Sequence, residues 1–129
     1  PQKQAFIPPF DVLETPTAYI LEGELPGLHD KKQTVIEFTD AQSVLIRGRI
    51  DRQDGDEENN ESLKASVEGE GEGAVDKVWV AERNVGEFQR GFTLPGSVDV
   101  ERVEATLEYG VLRIIVPKLA KAGVRRVEI

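Results

Sequence analysis

The sequence runs to 129 residues, of which 39% are hydrophobic and 31% charged, enough for one domain with a packed core and a well-solvated surface. No apolar run approaches the ~18 residues of a membrane span, no basic-then-apolar signal opens the chain, and the absence of cysteine rules out disulfides and thiolate metal sites. A net charge of -8 argues against nucleic acid as a partner, because that binding draws on clustered Lys and Arg.

PFDVLET (9–15) predicts a short strand, and TAYILEGEL (17–25) a half-buried one, with Tyr19, Leu21 and Leu25 facing one way and Glu22 and Glu24 the other. Pro26-Gly27 breaks it as a turn. QTVIEF (33–38) sets Ile36 and Phe38 on one face, and SVLIRGRI (43–50) sets Val44, Ile46 and Ile50 against Arg47 and Arg49. KVWVAER (77–83) is rich in β-formers. EFQRGFTLP (87–95) alternates Phe88, Arg90, Phe92 and Leu94 with polar residues, as VEATLEY (103–109) alternates Val103, Ala105 and Leu107. GVLRIIVP (110–117) is nearly continuous in apolar residues and predicts a central strand. Only HDKKQ (29–33) and VDVERVEA (98–105) offer short helical turns. Short strands between Pro and Gly turns predict an antiparallel β-sandwich.

Residues 51–77 hold ten acidic and three basic side chains, so a charge of -7 lies there and the rest of the chain is nearly neutral. The segment is long for a strand connection, and its Glu, Gly, Asn and Ser predict disorder over most of its length. GEGEG (69–73) lacks the strand-to-helix setting and the GK[ST] of a phosphate loop, and its glutamates would repel phosphate, so it reads as an acidic linker. His29, the single histidine, follows a turn in a polar loop and reads as a surface residue. No calcium-loop spacing, nucleophile elbow or HExxH occurs, so neither an enzyme nor a cofactor is expected.

Trp79 has two readings. The plainer one is core packing. The other follows from the long arm before it: a tethered strand can join the sheet of another copy. Arg90 sits in phase with three apolar residues. It either reaches solvent by extending past them or forms an ion pair at an interface.

PFDVLET, AYILEGELPGL, SVLIRGR, ERNVGEFQRGFTLP and ATLEYGVLRIIVPK stand in the order found in the α-crystallin domain of small heat-shock proteins. The most specific piece is Ala105-x-Leu107-x-x-Gly110-Val111-Leu112, closing on Val116-Pro117-Lys118. The chain resembles the non-animal branch of that family, although its acidic arm is longer than is usual there. The resemblance implies an all-β, immunoglobulin-like sandwich over residues 9–118, with a long loop carrying an exchanged strand. Residues 1–8 would be a remnant of an N-terminal arm, residues 119–129 a C-terminal tail. With no methionine at position 1, a processed or trimmed chain that lacks an N-terminal segment is expected.

The same resemblance implies an ATP-independent chaperone of the cytoplasm that holds non-native client proteins, and partners that are copies of itself. The dimer strand would comprise Val78, Trp79 and Val80, running to Ala81, with Glu82 and Arg83 just after it. Arg90 matches the family's interface arginine, and Gly110, Val111 and Leu112 its fold signature. Val127 and Ile129 match the V-x-I tail motif, which in the family docks in an apolar groove. Here Ile36, Phe38, Val103, Ala105 and Leu107 would line that groove for tail or client. The alternatives are a CS-type co-chaperone adaptor of the same fold, a sugar-binding sandwich, disfavoured by an aromatic content of 6%, and a hydrolase, for which no nucleophile-base pair exists.

Overall fold

Alternation with a period of two makes a strand stable when one face is covered, and among the described residues six strands show it while a seventh, at the edge, is mostly exposed. The structure is a computed structural model and describes residues 4–51 and 75–119. The acidic arm from 52 to 74 and the tail motif at Val127 and Ile129 lie outside the described residues.

The strands are β1 (Phe10–Glu14), β2 (Ala18–Glu24), β3 (Thr34–Phe38), β4 (Ser43–Ile50), β5 (Gly86–Thr93), β6 (Glu104–Glu108) and β7 (Val111–Pro117). The two predicted helical turns appear as single 3-10 turns, Lys31–Gln33 and Val100–Arg102, each opened by an aspartate whose side chain accepts a backbone N–H. A four-stranded sheet has the order β1-β2-β7-β6 and a three-stranded sheet the order β3-β4-β5, with all named strand pairs antiparallel. The fold is an all-β sandwich of two antiparallel sheets.

β7 lies inside its sheet, as its apolar run predicts, yet its burial alternates: Leu112, Ile114 and Val116 are buried while Val111 and Arg113 are exposed. The sheet's outer face meets solvent, so only alternate residues enter the core. That core takes Tyr19, Leu21 and Leu25 from the β2 region, Val44, Ile46 and Ile50 from β4, and Phe88 and Leu94 from β5 and its end. Two inward positions are glycines because phenylalanine rings fill the space. A Cβ on Gly23 would lie 2.3 Å from the Phe10 ring, and one on Gly48 would lie 2.6 Å from the Phe88 ring.

Two turns are made by different means. β6 and β7 are joined by Tyr109-Gly110, both with positive φ (54° and 78°), the backbone of a type I′ hairpin. Tyr109 is fully exposed, so nothing compensates its left-handed conformation, which favours Gly or Asn. Between β3 and β4, the Asp40 carboxylate accepts the N–H groups of Gln42 and Ser43, both at 2.8 Å.

Tyr109→Asn should therefore raise stability by about 0.5–1 kcal/mol, and Gly110→Ala should lower it by roughly 1 kcal/mol or more, read from urea midpoints. The Gln42 N–H holds the Asp40 carboxyl below its ordinary value of 3.8, against a smaller opposing effect of burial. A lowered folded-state value stabilises above the unfolded value and is lost as pH falls. The penalty of Asp40→Ala should thus be full above pH 3.8 and shrink below it, as a pH series of unfolding midpoints would record.

Candidate functional site

A sandwich of two open sheets has four outer strands, and the site is defined by what covers each. The Phe10 and Phe92 rings meet edge-on at 5.6 Å, which stacks β1 over β5 on one flank. The opposite flank is therefore formed by β3 and β6, the far edges of the two sheets.

The β1–β5 flank is partly closed by the start of the chain. Phe6 pairs with β5: its N–H donates to the Glu87 carbonyl at 2.9 Å, and its own carbonyl accepts from Gln89 at 3.1 Å. The Phe6 and Phe88 rings lie 5.9 Å apart. Pro8 is fully buried, whereas Ile7 is exposed. Arg90 fastens this segment. Its Nη1 donates to the Pro8 carbonyl at 3.0 Å, and its guanidinium lies over the Phe92 ring, 4.7 Å from the centroid. Within the single chain the Arg90 head forms a clamp on the Pro8 carbonyl and does not run out to solvent. That clamp joins residues 82 positions apart, which no local pattern announces.

The β3–β6 flank is open. Along β3, Ile36 and Phe38 are half-buried, while their cross-strand neighbours on β4, Ile46 and Val44, are fully buried. Along β6, Ala105 and Leu107 are half-buried beside fully buried Ile114 and Leu112 of β7. Val103, just before β6, is half-buried too. The structure thus places all five predicted groove residues against the core on one flank. Among the described residues no strand pairs with the outer edge of β3 or β6.

The solvent faces beside this flank differ in charge. On β3, Glu37 accepts from Arg47 Nε at 3.0 Å; that hydrogen bond, with the attraction of the carboxylate, pushes the Arg47 guanidinium above its ordinary value. On β6, Glu104 and Glu108 face outward and carry no ion pair among the described residues.

The segment 77–83 corrects one expectation. KVWVAER forms no strand and pairs with none of the described strands. Trp79 is 84% exposed, flanked by Val78 at 44% and Val80 at 70%, so the core-packing reading of Trp79 does not hold. Lys77 Nζ lies over its ring, 5.4 Å from the centroid. Glu82 and Arg83 are exposed after it. Of the signature residues, Gly110 makes the hairpin turn, its carbonyl accepting from Leu25 at 2.7 Å; Val111 is exposed and Leu112 buried. His29 is exposed, and no three His, Cys, Asp or Glu side chains among the described residues gather as a metal site. No helix among them is long and apolar enough to cross a membrane. What the surface offers is two apolar stretches without a covering partner, suited to binding extended chains.

The Hsp20/alpha crystallin family model matches residues 11–129. A 30 kDa heat shock protein of Emericella nidulans is 36% identical, the match covering 98% of this chain and 80% of that protein. A 30 kDa heat shock protein of Neurospora crassa is 32% identical over 98% and 77%. Among solved structures, heat shock protein 16.0 from Schizosaccharomyces pombe superposes with a TM-score of 0.67 at 26% identity, covering 97% of this chain and 76% of that one. A small heat-shock protein from Xylella fastidiosa gives 0.67 at 26%, covering 98% of both chains.

The half-burial of the flank has an energetic signature. Ile46→Ala should cost about 2–5 kcal/mol, as for a fully packed core position, and its cross-strand neighbour Ile36→Ala less than half as much, measured by urea unfolding of the two variants.

Proposed function

The chain belongs to the Hsp20/alpha crystallin family of small heat-shock chaperones, and we propose that it is an ATP-independent holdase whose two uncovered apolar stretches serve, in turn, its own assembly and its clients. The observation that carries this reading is the run Val78-Trp79-Val80, exposed on both faces and without a strand partner.

Three adjacent exposed β-formers are a hazard to a lone molecule. Exchange removes it. The run would pair with the sheet of a second copy, and that copy would return the favour, giving a symmetric dimer. The acceptor is β1, whose outer edge is unpaired and whose Val12 and Leu13 are exposed. Arg90 stands at the same flank, across the Phe10–Phe92 contact, where the incoming strand arrives. A CS-type adaptor would have no use for such a segment.

The groove between β3 and β6 would receive the Val127 and Ile129 motif of another copy. Reach supports the intermolecular form. Leu119 leaves the sandwich at the end where β6 begins, its N–H donating to the Ser97 carbonyl at 3.0 Å. Val127 lies eight residues on, about 26 Å of extended chain, whereas β6 spans only about 13 Å. A straight tail overshoots its own groove. Burying Val and Ile yields about 1.5–3 kcal/mol each, set against roughly 1–2 kcal/mol for every residue ordered. Single tails bind weakly, several together bind well, and a vacated groove can accept an apolar stretch of an unfolding client. The protein would work in the cytoplasm, keeping such complexes in solution with its charge.

Native mass spectrometry tests both contacts. Removing residues 124–129 should reduce any larger assembly to a dimer, and Trp79→Ser should shift that dimer toward monomer. Monomers throughout for the unaltered chain would refute the reading. Suppression of light scattering from a heat-unfolding enzyme should weaken with an excess of added VRRVEI peptide. An unchanged curve would remove the groove from client binding.

A further inference from the structure

Shape alone leaves the docked tail free to slip along the groove, because Val103, Ala105 and Leu107 offer three inward-facing apolar positions to two tail side chains. The charges on the outer face remove that freedom. This inference rests on the tail-docking reading above and adds what fixes the register.

β6 alternates strictly. Ala105 and Leu107 point inward, and Glu104, Thr106 and Glu108 point outward and are exposed. A tail pairing beside β6 as a strand alternates likewise. With Val127 and Ile129 facing the groove, Arg126 and Glu128 face outward beside that row. Two placements seat both apolar side chains on these positions, and a third would leave one of them beside the exposed Tyr109 of the turn. When Val127 and Ile129 sit on Ala105 and Leu107, Glu128 lies beside Thr106 and Arg126 lies beside a glutamate. That glutamate is Glu104 if the two strands run the same way and Glu108 if they run oppositely. A slip of two residues toward Val103 sets Glu128 against Glu104. A slip the other way sets Glu128 against Glu108. Both hold in either strand direction.

We propose that the outward row Glu104-Thr106-Glu108 fixes the docked tail in the single register that places Glu128 beside Thr106 and Arg126 beside an unpaired glutamate. Like charges directly opposite destabilise a strand pair and opposite charges stabilise it by comparable amounts. The glutamates of β6 are available for this, since neither has an ion-pair partner among the described residues. The remaining charges nearby are engaged or displaced. Arg113, outward beside Thr106, is held by Glu22 at 3.2 Å, and Glu37 on the β3 side is held by Arg47. Glu101 and Arg102 lie on the turn before β6 and flank the row without entering it.

Titration calorimetry on the full chain tests this with a VRRVEI peptide and the same peptide carrying Arg126→Gln or Glu128→Gln. Arg126→Gln should weaken binding about two- to fivefold. Thr106→Glu in the protein, at an exposed position that leaves the core untouched, should weaken the unaltered peptide by a similar factor and spare the Glu128→Gln peptide. One of Glu104→Gln and Glu108→Gln should abolish the difference between the unaltered and Arg126→Gln peptides, and which one does so gives the strand direction. Equal binding of all three peptides to both the unaltered chain and Thr106→Glu would overturn the register while leaving docking intact. No binding of VRRVEI at all would overturn docking and the register with it.

Discussion

An open β-sheet has two outer strands whose outward N–H and C=O groups have no partner, and a sandwich of two sheets has four such edges. How this chain deals with its four edges decides everything else about it. One edge, on β5, is covered by its own Phe6, which takes both ladder hydrogen bonds and is clamped by Arg90 on the Pro8 carbonyl. A second, on β1, stays open beside exposed Val12 and Leu13. The third and fourth, on β3 and β6, face the same flank and leave a row of half-buried apolar side chains between them. The fold is complete as a core yet unfinished as a surface.

The interior explains why so little of this surface can be withdrawn. Each inner strand spends its inward positions on fully buried residues, and at Gly23 and Gly48 even a methyl group would strike a ring. Among the described residues the core is built from thirteen buried apolar side chains, and Trp79 is not one of them. Among the described residues the ion pairs Arg47–Glu37, Arg49–Asp51, Arg113–Glu22 and Lys118–Glu14 all lie at exposed or half-exposed positions. Pairs of that kind contribute little to stability. They do make the broad faces of the sheets unattractive to apolar chains.

The strands are legible in the sequence wherever one face meets solvent and the other meets the core, because period-two alternation then records burial directly. Tyr19, Leu21, Val44, Ile46 and Phe88 can all be read in this way. KVWVAER shows where that reading stops. Its residues are good β-formers, but a strand exists only against a partner, and local composition cannot say whether the partner lies in the same molecule. Arg90 stops it differently: the alternation gives its face correctly, yet its partner is a carbonyl near the other end of the chain. The groove residues are apolar on paper like any core residue. Only the strand order shows that β3 and β6 are edges, and that order is a property of the whole topology.

The solitary indole of this chain sits outside the core, on an apolar run that joins neither described sheet. Its ultraviolet emission is thus free of the background that buried tryptophans give in most proteins. A blue shift would register burial of residues 78–80 and nothing else, so the molecule carries an intrinsic optical gauge of whether that run is in water or sheltered, readable at any dilution without a label.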